Sequence, residues 1–403
     1  MTAQAGASRQ HALVMLAIIL VGFNLRPAIT SVGPLLGTIR DQLGLANWSA
    51  GILTGLPLVA FAVMSPLAPA IGGRLGNARS ILLGLLLLTG GIAVRSLPWT
   101  PTLFVGTAVI GVGIALMNVL LPAFIKDKLP HRVGRMTSIY STAMAILAAT
   151  AAGLSVPLAR LGGLGWSFSL LAWGLMALVG IAVWVIIDRT ERRNGSAAAP
   201  AVQPPPPVSL WKSPLAWQVT FFMGLQSFVF YVLVSWLPEM MHDFGFSRAA
   251  SGWMLSYIQF ISLPGTFFAP ILAEKFPHQL GIIALIGSGG IVGFTGLLLG
   301  GPMPLIVFWI TILGLASGSS ISLSLAFLGM RTRNAVLAAR LSGMAQSVGY
   351  VLAATGPLLI GFLYDLTGTW SGPIITMIGV YALLTVAGLG AGRNRYVEDT
   401  PAH

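Results

Sequence analysis

Arg26 lies inside the first long apolar run of the sequence, residues 12–36, far from any acidic side chain. A guanidinium at the centre of a bilayer costs on the order of 2.5–3.5 kcal/mol on insertion scales. A buried cation of that kind calls for an anion. Its planar fork of donors matches a carboxylate, a nitro group or a small anion. The competing reading is a structural Arg that bonds backbone carbonyls or reaches for water. Around it stands a set of polar residues that also fall inside apolar runs: Asn24, Asn118, Gln226, Gln259 and Gln346, with Tyr140, Tyr231, Tyr257 and Tyr350. Asn24 and Arg26 are two residues apart and belong to different faces of a regular helix. Pro27 removes a backbone donor there, which loosens the turn and lets both side chains approach one space. For each amide, a hydrogen bond between neighbouring helices is the alternative, and for Phe230, Tyr231 and Trp236 it is plain packing.

The remaining chemistry is defined by what is missing. With no cysteine there is no disulfide, thiolate metal site or cysteine nucleophile. The ten acids and five histidines fall in loops, tails or at the ends of apolar runs. No acid/base pair, H-E-x-x-H, G-x-S-x-G or P-loop is present, so catalytic and metal residues are expected to be none and cofactors none. An enzyme is the reading least supported, and the missing P-loop also argues against a primary pump, at least within this chain.

The elements that must hold these residues are membrane helices. The chain has 403 residues, 56% hydrophobic and 8% charged, against roughly 25% charged in a soluble domain. Apolar runs of span length occupy 12–36, 49–72, 80–97, 102–125, 135–158, 166–187, 214–238, 249–273, 280–300, 303–329, 338–364 and 371–391. The first is not a cleaved signal, because apolar character resumes after Arg26 without an A-x-A-like site. With both ends on one side, only Arg40, Arg95, Arg160 and Arg248 fall in the opposite loops, and 17 of the 22 Lys and Arg fall on the side of the termini. That bias predicts cytoplasmic termini, and it makes the net charge of +12 a topology signal rather than a nucleic-acid footprint.

Residues 189–212, charged and then Ala/Pro-rich, divide the spans six and six as a cytoplasmic linker between bundles 1–188 and 213–403. A shift of 201 carries Gly44, Gly51, Pro69 and Arg74 onto Gly245, Gly252, Pro270 and Lys275. A shift of 205 carries Arg135 onto Arg340 and the LAAT at 147–150 onto the LAAT at 352–355. Asn24 and Gln226 match at 202. Parallel six-helix repeats of this kind are the plan of an all-α membrane protein with 12 transmembrane helices in two pseudo-symmetric bundles, the facilitator architecture.

Particular motifs carry a closer resemblance. Gly72-Gly73-Arg74-Leu75-Gly76 resembles the facilitator loop between spans two and three, with Gly73 where that family usually has Asp. Glu274-Lys275-Phe276-Pro277 keeps the acid in the second half. The stretch Gly22-Phe23-Asn24-Leu25-Arg26-Pro27 with Thr30-Ser31-Val32-Gly33-Pro34 resembles the cyanate/nitroimidazole (CynX/NimT) branch of the major facilitator superfamily. So do Met117-Asn118-Val119-Leu120-Leu121-Pro122 and the run Ser342–Tyr350. The resemblance implies a monomeric bacterial inner-membrane transporter that works by alternating access on a small polar or anionic solute, cyanate-like or nitroimidazole-like. Its partners would be that solute and the lipid bilayer, with no nucleic acid. It further implies that spans one, four, seven and ten face the solute, helped by two, five, eight and eleven. Multidrug or metabolite efflux by the same fold is the alternative. For coupling, three readings stay open: entry of a neutral form, exchange against another anion, or titration of a carboxylate at a span end such as Glu239.

Overall fold

The structure, a computed structural model, describes residues 2–44, 47–193 and 209–399. Most of the linker read at 189–212 (194–208) therefore lies outside the described residues, as does the C-terminal tail from 400. Sixteen α-helices follow one another. They are α1 Thr2–Asn24, α2 Pro27–Thr30, α3 Leu36–Leu43, α4 Asn47–Met64, α5 Ala68–Leu75, α6 Asn77–Arg95, α7 Thr100–Lys128 and α8 Val133–Arg160. After these come α9 Gly165–Ala172, α10 Gly174–Arg193, α11 Pro214–Asp243, α12 Arg248–Lys275, α13 Leu280–Leu299, α14 Met303–Met330, α15 Ala335–Thr367 and α16 Ser371–Ala391.

Eleven segments of the described residues are long and apolar enough to cross a membrane, and a bent pair makes a twelfth. That pair is the second span, in which Gly55–Met64 and Ala68–Leu75 meet at 57°. Pro66 lacks the N–H that would continue the ladder, and a proline disfavours helical backbone in the residue before it. The first span is also broken, between α1 and α2, just ahead of Pro27. Backbone polar groups freed at such breaks are tolerated in lipid only where protein covers them.

The chain forms two compact units. The first holds Met1–His131, Ile139–Pro207 and Asn334–Gly343, and the second holds Arg132–Ser138, Val208–Arg333 and Met344–His403. Segments 132–138 of the second unit and 334–343 of the first lie near the repeat offset of 205 from one another in sequence.

Helices approach closely where glycine removes the side chain, as expected where lipid gives no hydrophobic drive to association. In the first unit an added Cβ at Gly113 of α7 would lie 2.6 Å from the carbonyl oxygen of Gly84 on α6, and one at Gly91 would lie 2.8 Å from the nitrogen of Ile110. In the second unit a Cβ at Gly224 of α11 would lie 3.0 Å from Cα of Gly349 on α15. The second unit is also tied at the end of α14 by Arg331, which is 3% exposed. Its guanidinium donates from Nε to the carbonyl of Ala391 at 2.6 Å and from Nη2 to Oε1 of Gln279, and it lies over the ring of Phe327. Burial pushes this guanidinium down to about 10, so it keeps its charge at neutral pH.

Candidate functional site

In the first unit the site is organised by the break in the first span. Helix α1 ends at Asn24, and α2 restarts at Pro27. Between them Arg26 takes φ −123° and ψ −38°, outside the helical well, and caps α2. Its carbonyl receives the N–H of Ile29 at 2.9 Å and of Thr30 at 3.0 Å. A short helix thus begins at the one charged residue of the span, with Pro at its first position, where a missing N–H costs nothing. The Arg26 side chain is half-buried.

Helix α8 runs beside both sides of that break. Gly22 on α1 faces the main chain of Tyr140, and an added Cβ there would come within 2.8 Å of its carbonyl oxygen. Thr30 Oγ1 donates to the carbonyl of Ala148 at 3.1 Å. Arg26 stands midway between these two contacts along α1–α2. Tyr140 is buried at 2% exposure. On α7, Asn118 is the one residue between Gly113 and Ile125 that is not buried.

Asn24 goes elsewhere. Its amide Nδ2 donates to the carbonyls of Leu20 at 2.7 Å and Met176 at 3.3 Å, and Gly180 of α10 makes room for it. The broken turn does not bring Asn24 and Arg26 together, because both amide hydrogens of Asn24 already bond backbone, one of them on α10.

In the second unit the candidates fall into two groups. Gln226, Tyr231, Gln346 and Tyr350 lie on α11 and α15, whose backbones touch at Gly224 and Gly349. Gln226 is 4% exposed. Its Nε2 donates to Ser227 Oγ at 2.8 Å and approaches the sulfur of Met223, while its buried Oε1 has no partner among the described residues. Gln346 is buried, Tyr350 nearly so, and Tyr231 is half-buried against the edge of Phe230. The other group is Tyr257 and Gln259 on α12, both half-buried. Tyr257 Oη lies 2.7 Å from Thr311 Oγ1 on α14. The Thr311 hydroxyl already donates to Val307, so the tyrosine is the donor in that pair.

Sequence reasoning placed Arg95 in a loop, and the structure corrects that. Arg95 is 1% exposed at the end of α6, packed on Gly106 of α7, and donates from Nη1 to the carbonyl of Ala28 on α2 at 2.5 Å. The available signal was its position inside the apolar run 80–97, with no acid near it in sequence. Among the described residues no group of three metal-ligating side chains comes together.

Comparison with known proteins agrees with this architecture. A family model described as Major Facilitator Superfamily matches residues 14–354. The transporter YycB of Bacillus subtilis (strain 168) is 49% identical over 380 residues, covering 94% of this chain and 93% of that protein. The 2-nitroimidazole transporter of Escherichia coli (strain K12) is 40% identical over 400 residues, covering 99% and 100%. The cyanate transport protein CynX of the same organism is 27% identical over 359 residues, covering 89% and 91%. Among solved structures, the proton:xylose symporter XylE superposes with a TM-score of 0.78 at 13% identity, covering 96% of this chain and 97% of that one, which shows the fold. The chain therefore belongs to the Major Facilitator Superfamily, in the CynX/NimT branch, and is a multi-pass membrane transporter of small solutes rather than an enzyme.

Proposed function

We propose that this transporter moves a small, planar, polar or anionic solute, a cyanate-like anion or a nitroimidazole-like compound, across the bacterial inner membrane by alternating access. Its termini lie in the cytoplasm, as the distribution of Lys and Arg supports, and it works as a monomer. The observation that carries the reading is the break in the first span at Arg26. A half-buried guanidinium at the start of a restarted helix presents fork donors at a point where backbone is already out of register. Both a cyanate anion and a nitro group supply acceptors in the plane of that fork. The substrates for which two relatives are named, a 2-nitroimidazole and cyanate, share this acceptor chemistry. On this reading Asn118 and Tyr140 complete the site in the first unit. Gln226, Tyr231, Tyr257, Gln259, Gln346 and Tyr350 supply the polar contacts of the second, and Asn24 holds the first span in place.

An anion entering a cell that is negative inside is opposed by about 2.3 kcal/mol per 100 mV. Glu239, in the last turns of α11, is exposed, which favours entry of a neutral form or exchange over proton carriage by that residue. The test is counterflow in proteoliposomes with labelled cyanate and labelled 2-nitroimidazole. Saturable, trans-stimulated counterflow of either supports the proposal. A folded protein that moves neither, yet confers broad drug resistance when overproduced, would replace it with efflux.

A further inference from the structure

The first unit also contains a guanidinium buried at the end of α6, that of Arg95, and its donors are only partly met. Arg95 is 1% exposed, and among the described residues only its Nη1 has a partner, the Ala28 carbonyl at 2.5 Å. Nε and Nη2, the edge that ordinarily receives two oxygens of one anion, are buried without a partner among the described residues. No carboxylate pairs with Arg95 among those residues either. The side chain cannot withdraw toward α7, because its own backbone and Cβ press on Gly106. Its neighbourhood is apolar: Val32, one turn beyond Ala28, and Leu103, one turn before Gly106, belong to a single buried cluster with Leu35, Ile39 and Leu53. Just past the end of that short helix, the hydroxyl of Ser31 is fully buried and also lacks a partner among the described residues.

A permanently charged donor edge, fixed in apolar surroundings and lacking a counter-charge, is stable only if an acceptor reaches it. We propose that the Nε–Nη2 edge of Arg95 is a binding site for a small monovalent anion. The apolar walls select by dehydration, so bromide and nitrate bind in preference to fluoride. By neutralising Arg95, the anion stabilises the seat of α2, the helix that Arg26 caps. This site is separate from the one assigned to Arg26, and it stands whichever solute is transported.

The test is the thermal unfolding midpoint of the purified full-length protein in detergent. Ionic strength is held constant while gluconate is replaced by bromide, nitrate, fluoride or cyanate. The expected result is a saturable rise at millimolar bromide or nitrate and little with fluoride, abolished in Arg95→Gln and retained in Arg26→Gln. A rise with cyanate as well identifies the transported class of anion as one natural occupant, and its absence assigns the site to halide-like ions of the medium. No anion-specific rise in the wild type, or an equal rise in Arg95→Gln, overturns the proposal, leaving water as the acceptor. Should Arg95→Gln not fold, crystals of the wild type in bromide decide the matter. An anomalous peak within hydrogen-bonding reach of Arg95 Nε supports the site, and its absence there removes it.

Discussion

Thr30 Oγ1 donates to the carbonyl oxygen of Ala148 at 3.1 Å, and eight residues earlier on each helix Gly22 meets the main chain of Tyr140. The equal spacing means that α8 runs parallel to the first span and supports it on both sides of the break at Arg26. A break in a membrane helix is stable only when a neighbour holds both halves, and α8 is that neighbour.

Gly22 is therefore expected to tolerate no side chain. A Cβ would stand 2.8 Å from the Tyr140 carbonyl oxygen, so Gly22→Val should destabilise the protein by about 1–3 kcal/mol, the usual range for overpacking. Thermal unfolding in detergent checks this. Thr30→Val removes only the hydroxyl and should cost roughly 0.6–1 kcal/mol. An unchanged midpoint for Gly22→Val would mean that α1 and α8 are not in contact.

Asn24 and Asn118 should separate by phenotype. Asn24 bonds backbone on its own helix and on α10, so Asn24→Ala should lower stability by about 1 kcal/mol and leave the half-saturation concentration of the surviving protein near that of wild type. Asn118 is half-buried amid buried neighbours, so Asn118→Ala should raise half-saturation several-fold. Exchanged phenotypes would reverse the two assignments.

Much of this arrangement is legible in the sequence, for a plain reason. A bilayer sets the length of an apolar run, and the spans read from residues 12–36 to 371–391 correspond to helices, with the second completed by a bent pair. The weakness at Pro27 is legible too, because a missing N–H is a local property. What escapes is direction. Every face of a membrane helix is apolar, so periodicity does not say which way Asn24 points, and that is decided by the Met176 carbonyl 152 residues away. Depth escapes for the same reason at Arg95, which a charge count assigns to a loop although Ala28 and Gly106 enclose it. The bend at 65–67 belongs with these, because Pro66 shows where a span is weak and not the 57° it turns.

Glu274 gives a salt-dependent prediction. Its Oε2 accepts from the N–H of Arg135 at 3.0 Å, in the first turn of α8, where helix dipole and unsatisfied N–H groups favour a carboxylate. Glu274→Gln should lower stability by about 0.3–1 kcal/mol at low ionic strength, and the deficit should shrink at high salt as screening weakens the charge. A deficit that does not respond to salt would assign Glu274 to packing alone.

Gln226 offers a test of a buried amide. Its Oε1 is buried without a partner among the described residues, and replacing a poorly satisfied polar group by an apolar one of similar shape is close to neutral for folding. Gln226→Met should keep stability within about 1 kcal/mol of wild type while raising half-saturation for solute. Unchanged transport would remove Gln226 from the site.

The central claim is that the guanidinium of Arg26 reads the solute, and counterflow in proteoliposomes with Arg26→Ala and Arg26→Lys tests it most directly. A charge-assisted hydrogen bond contributes about 1.5–3 kcal/mol, so Arg26→Ala should raise half-saturation about 10- to 100-fold or abolish counterflow. Arg26→Lys should recover little, because an ammonium keeps the charge and loses the fork. Wild-type kinetics in both variants, in folded protein, would contradict the account.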